Sequence, residues 1–269
     1  MSQHTSTLHP ADGSTPEALA PSGDKVRVWD LPTRVFHWTL ASSFAGAWLS
    51  AESERWRDIH VMLGYTLAGL IAFRLVWGVV GSRYARFNSF VFPPSRVVGY
   101  LKSLLGGTPE HHLGHNPAGA LAILALLVLG VVVTASGYAM YQEVLGSRGE
   151  WLEDLHEGAA NAMLGLVIIH LAGVVVSSFL HRENLVRAML TGWKAGRPDD
   201  GIKRSHTVLG VLLLVAVLGF WAYGQSAPGK AFLAGSTAIE PPSNKAAIKS
   251  DGRRDKSGEK RRQRGRDDD

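Results

Sequence analysis

Residues 155–181 read LHEGAANAMLGLVIIHLAGVVVSSFLH. From Gly158 to His181 the stretch has no formal charge, yet His170 lies in its middle. A helix needs ~20 apolar residues to cross a ~30 Å hydrocarbon core. This segment is long enough, and a histidine at that depth is costly enough to suggest a function. Four further segments resemble it in length and composition: Val35–Ala51, Ile59–Gly81 with Arg74 as its one charge, Pro117–Tyr141 and Thr207–Gly224. Backbone in lipid must satisfy its own hydrogen bonds, so all five read as helices. The fold class expected is therefore an all-α integral membrane protein. It would comprise a four-helix transmembrane bundle over 35–51, 59–81, 117–141 and 158–181, with a fifth transmembrane helix at 206–224.

The chain has 269 residues and a mean hydropathy of +0.04, an average that hides an uneven charge distribution. Charges crowd into residues 225–269, and residues 1–25 are rich in Ser, Thr, Pro and Gly. Neither end can bury a core, so both read as disordered. Residues 1–25 have no apolar h-region and do not read as a signal peptide. The excess of Lys and Arg is a topological signal in such a chain, with no nucleic-acid partner implied. Basic residues concentrate in alternate flanks: Lys25, Arg27 and Arg34; Arg83, Arg86, Arg96 and Lys102; and Arg182, Arg187, Lys194, Arg197, Lys203 and Arg204. The opposite flanks hold Arg55, Arg57, Arg148 and Lys230. The bias places the N-terminus in the cytoplasm; five spans would put the tail outside, whereas a fifth segment that is a hairpin would leave the tail's basic residues inside. Residues 95–105 (SRVVGYLKSLL) could form an amphipathic helix on the inner surface.

The chain has no cysteine. Disulfides, thiolate zinc sites, iron–sulfur clusters and C-x-x-C-H haem attachment are thereby excluded. Attention falls on the 11 histidines. His37 opens the first span and His60 the second, which runs the other way. His156 opens the fourth span, and His170 lies 14 residues later. That interval is about 21 Å of helix and nearly four full turns, so both point to one side. His60 and His156 thus share the outer level, and His37 and His170 the inner. Two stacked histidine pairs in a helical bundle suit two six-coordinate b-type haems, with the four imidazoles as iron ligands. Taken singly, each histidine could equally be an interfacial or hydrogen-bonded residue. Arg74, 14 residues after His60, falls at the inner level. It would pair with a haem propionate or snorkel to lipid phosphate.

Several pieces together resemble one family. These are VWDLPTRVFHW (28–38), DIHVMLGY (58–65), FRLVWGVVGSRYARF (73–87), GHNPAG (114–119), LHEGAAN (155–161) and HRENLV beginning at His181. Over about residues 26–195 the chain is similar to the bacterial cytochrome b561 and nickel-hydrogenase b-type cytochrome family. The resemblance implies a four-helix core with two haem b groups, ligands at His37, His60, His156 and His170, and quinone as substrate. It implies a bacterial inner-membrane location and electron transfer in a respiratory chain, with a redox partner or a dehydrogenase or reductase subunit. The fifth span and the 45-residue tail depart from the family's short members.

Alternatives remain open. The resemblance also covers superoxide:quinone oxidoreductases, although the outer loops here are acidic on balance and would not steer an anion inward. A haem-free transporter using the histidines as a proton relay is a reading from another class; no internal repeat supports it. Glu157, beside His156, could accept a proton from quinol, or could simply favour the helix N-terminus. His111 and His115 have i, i+4 spacing that would hold a metal on a helix, but Gly114 and Pro117 argue for a loop.

Overall fold

A computed structural model describes residues 24–106, 110–146 and 149–233. Eight helices are described in it: α1 (Leu31–Ser50), α2 (Arg57–Val80), α3 (Pro94–Leu105), α4 (Pro117–Tyr141), α5 (Trp151–Leu180), α6 (Leu185–Thr191), α7 (Thr207–Gln225) and α8 (Ala227–Leu233). Two short strands, β1 (Lys25–Arg27) and β2 (Trp193–Ala195), pair antiparallel. The chain is an all-α membrane protein. Among the described residues, four helices are long and apolar enough to cross a bilayer: Glu54–Val80, Pro117–Tyr141, Trp151–Leu180 and Thr207–Gln225.

Helix α1 is 20 residues long but carries more hydroxyls than those four. Three of its hydroxyls are satisfied within the helix. Thr39 Oγ1 donates to the Val35 carbonyl at 2.6 Å, and Ser42 and Ser50 do likewise one turn back. Such back-bonding is what a helix without water nearby requires. At ~1.5 Å per residue α1 is ~30 Å long, and it packs along α2 and α7.

Local sequence sets the helix ends. Asp30 caps α1, its Oδ1 accepting from the Thr33 amide at 2.7 Å, with Pro32 in the first turn. Asn116 caps α4 in the same way, accepting from the Gly119 amide at 2.7 Å, and Pro117 follows. Helix α2 stops at Gly81, whose amide donates to the Trp77 carbonyl. Helix α5 begins at Trp151, seven residues before the expected span, because its acidic first turns are helical too.

Two core layers tie the bundle. Phe44, Ala47, Leu63, Leu67 and Met163 join α1, α2 and α5. Phe36, Leu70, Leu127 and Val217 join α1, α2, α4 and α7. Helix α7 comes close to the start of α1 at Gly210, where a Cβ would stand 2.6 Å from Leu31. It is also pinned by Trp221, whose indole N–H donates to Thr66 Oγ1 at 3.0 Å. Much of the outward surface is exposed Val, Ile and Leu, such as Val79, Ile168, Ile169, Val211 and Leu212. In a bilayer that surface meets lipid, which carries no penalty.

The segments 24–30, 82–92, 110–116 and 181–206 gather at one end of the bundle. The Val28 and Trp29 amides both donate to the Gly192 carbonyl, at 2.8 and 3.2 Å. Gly192 has φ +88°, and a Cβ there would stand 2.7 Å from the Trp29 carbonyl, so only glycine fits. The Tyr84 hydroxyl donates to the Asp200 carbonyl at 2.8 Å. This capped end gathers the flanks read as cytoplasmic.

Residues 1–23 and 234–269 lie outside the described residues. The reading of 225–269 as disordered needs correction for its first part. Helix α8 folds back towards α2 and buries Leu233. The reading of 1–25 likewise yields Lys25, which lies in β1. Helix α3 takes up the expected amphipathic segment; Tyr100 is buried while Val98 and Leu101 are exposed.

Candidate functional site

The bundle brings His60 and His156 together. Their rings lie 6.1 Å apart, centre to centre, with planes at 69°. Each has one ring nitrogen committed to a backbone carbonyl. His60 Nδ1 is 2.9 Å from the Ala47 oxygen on α1, and His156 Nδ1 is 3.0 Å from the Val133 oxygen on α4. A carbonyl only accepts, so Nδ1 donates in both rings, which leaves Nε2 as the nitrogen turned to any ligand. That is the arrangement of a metal-ligating histidine, whose second nitrogen is held by an acceptor. The spacing also fits. An imidazole nitrogen sits about 2 Å from a first-row metal, so two rings on one ion would be roughly 6 Å apart at their centres. Ser136 Oγ also lies 3.2 Å from His156 Nδ1.

His37 and His170 are electrostatic neighbours on α1 and α5, towards the capped end. His37 is half-buried, and its Nδ1 is buried with no hydrogen-bond partner among the described residues. The carbonyl acceptors that hold the first pair have no counterpart at His37 among the described residues.

Arg74 is only 3% exposed. Its guanidinium lies over the rings of Phe87 and Phe90, 5.0 and 5.7 Å from their centres, and one terminal nitrogen is buried without an acceptor among the described residues. The snorkelling alternative is thereby corrected, since the side chain is enclosed by the capped end. Asp30, fully buried, is its charged neighbour and also accepts from the Trp77 indole at 3.1 Å. A buried guanidinium with an orphaned N–H suits an anion.

Near the inner pair the sequence reading singled out His111 and His115 but not Lys194 or Glu183. His115 packs between Trp29 and Phe90, 4.7 and 4.6 Å away, with its Nδ1 buried and unpartnered among the described residues. Burial, then Arg74, Lys194, His170 and His37, push its pKa down to about 3, so the ring is neutral. His111 contacts Glu183 at 3.5 Å, and Lys194 contacts the same carboxylate at 3.0 Å. Burial alone would raise Glu183, but His111 and Lys194 outweigh it and hold the carboxyl below its usual range. These residues form a loop cluster, as Gly114 and Pro117 suggested. Among the described residues no group of three or more His, Asp or Glu could hold a metal ion. Glu157 is exposed, one residue beyond His156.

The chain folds as a helical membrane protein whose bundle brings His60 and His156 ring to ring. The family model described as prokaryotic cytochrome b561 matches residues 28–192, and the chain belongs to that family. It is thus a multi-pass bacterial membrane protein of the haem b class with a role in electron transport. A probable Ni/Fe-hydrogenase B-type cytochrome subunit of Azotobacter vinelandii is 30% identical over 223 residues, covering 65% of this chain and 91% of the relative. A protein of the same description from Rhodobacter capsulatus is 23% identical over 217 residues, covering 65% and 83%. The probable Ni/Fe-hydrogenase 1 B-type cytochrome subunit of Escherichia coli K12 is 26% identical over 144 residues, covering 43% and 60%. No solved structure matches the chain.

Proposed function

We propose that the chain binds two b haems, one between His60 and His156 and one between His37 and His170, and passes electrons across the inner membrane between quinone and a redox partner. The observation that carries this reading is the joining of His60 and His156 with both Nδ1 atoms already donated. When bound, haem supplies the one-electron chemistry. The chain supplies the rest. Its four imidazoles would hold the haem irons, and its apolar layers of Phe44, Leu63, Leu67 and Met163 keep water from the bundle. Arg74 offers an orphaned donor to a propionate at the inner level. The N-terminus faces the cytoplasm, since the capped end carries the basic flanks. Likeness to relatives named as hydrogenase cytochrome subunits makes a Ni/Fe-hydrogenase the first partner to test.

The test is reoxidation of the dithionite-reduced protein in liposomes by a short-chain ubiquinone. Rapid loss of the reduced b-haem spectrum is expected. A spectrum indifferent to quinone would overturn the quinone assignment.

A further inference from the structure

The two histidine pairs differ in how their second ring nitrogens are held. In the outer pair both Nδ1 atoms reach a main-chain carbonyl, Ala47 at 2.9 Å and Val133 at 3.0 Å. In the inner pair His37 Nδ1 is buried with no partner among the described residues, and no hydrogen bond among them engages His170. An acceptor on the second nitrogen makes an imidazole a more basic ligand, and a more basic ligand favours the ferric over the ferrous iron.

The geometry of α4 explains how His156 reaches its acceptor. Val133 and Gly137 are one turn apart, so they share a face of the helix. The His156 ring lies against that face. A Cβ at position 137 would stand 2.9 Å from His156 Cε1 and 3.1 Å from Nδ1. Alanine at 137 would therefore push the ring off the Val133 carbonyl or tilt it about its axis. No comparable need applies at Gly219 on α7, where a Cβ would meet nothing within 4 Å.

We propose that Gly137 is a positioning residue. By leaving room for the His156 ring it lets the Val133 carbonyl hold Nδ1, and together with the Ala47 carbonyl on His60 this sets the outer haem at a lower midpoint potential than the inner one. The inference rests on the haem assignment above and adds to it a rank order and a residue that sets it.

The experiment is a redox titration of the purified wild-type chain followed at the b-haem absorbance, with low-temperature EPR of the oxidised protein. His60→Leu and His37→Leu identify the outer and inner components by their loss. In the wild type, the component lost in His60→Leu is expected to titrate below the one lost in His37→Leu. Gly137→Ala is expected to raise the potential of the outer component and shift its low-spin EPR signal, leaving the inner component unmoved. Gly219→Ala should change neither. Alanine is the better helix former by ~1 kcal/mol, so a local effect at 137 cannot be put down to a weakened helix. An outer component above the inner one in the wild type overturns the proposal, even if Gly137→Ala does not accumulate. So does a Gly137→Ala protein with both components unchanged, or with both shifted alike. A wild-type chain without b haem would sink the haem assignment itself, a result distinct from these.

Discussion

At the scale of single residues, the four histidines are not equivalent, and their replacement should show it. If each pair holds one haem, removing one imidazole leaves its partner unable to hold the iron alone. His60→Ala and His156→Ala should each cost one haem per chain, and His37→Ala and His170→Ala the other. Pyridine-haemochrome stoichiometry reads the loss; a variant retaining both haems would remove that residue from the ligand set. Asp30 offers a different test. It caps α1 and accepts from the buried Trp77 indole. Loss of a cap costs about 1 kcal/mol and an orphaned buried donor about 1–3 kcal/mol. Asp30→Ala should therefore destabilise the fold by about 2–4 kcal/mol, read as earlier thermal loss of haem absorbance. The sequence made the histidines legible because fourteen residues is close to a whole number of turns. It could not show the carbonyls that hold them. Main-chain oxygens carry no residue signature, and Gly137 alone marks the close approach.

At the scale of elements, what was readable followed from strong local signals. The α4 start is written in Asn116-Pro117, and the α2 stop in Gly81. The first turns of α5 were missed because hydropathy tracks the lipid-buried part of a helix, whereas Glu153 and Asp154 sit in its helical N-terminus. Helix α8 falls in a tail whose Ser, Pro, Gly and charged residues read as disordered. Its formation depends on burying Leu233, a tertiary effect. The three-residue strands β1 and β2 are too short for any period to show. Helix α7 is an addition to the helices that carry the four paired histidines, which all lie on α1, α2 and α5. A chain ending at Arg204 should thus keep both haems while losing them at a lower temperature, because Val217 and Trp221 no longer pack on the core. Loss of haem binding in a truncated chain that still inserts would contradict this division.

At the scale of the whole molecule, one end is capped by interlocked loops and the other carries the exposed Glu157 beside the outer pair. The capped end should be acid-sensitive. His115 is depressed to about 3 and Glu183 is also depressed. Unfolded histidine takes up its proton near 6.5 and unfolded carboxylate near 4. In each case the unfolded state binds more protons, so stability rises with pH. The His115 contribution is full above about pH 6.5 and falls away towards 3; that of Glu183 falls away below its ordinary range. Thermal stability should drop steadily from pH 7 to 4, and His115→Asn should flatten the upper part of that slope. The absence of cysteine makes topology simple to read. A single cysteine at Ser95 or Asp199 should react with an impermeant maleimide only in inside-out vesicles, and one at Glu150 only in right-side-out cells. The reverse pattern would turn the protein over and exchange the inner and outer haems.

The central claim is that two histidine pairs hold two haems in one chain. It is tested most directly by a reduced-minus-oxidised spectrum of the detergent-purified protein, combined with pyridine-haemochrome quantification against protein mass. The account predicts two low-spin b haems per chain. One haem would leave one pair as a structural contact, and none would contradict the account.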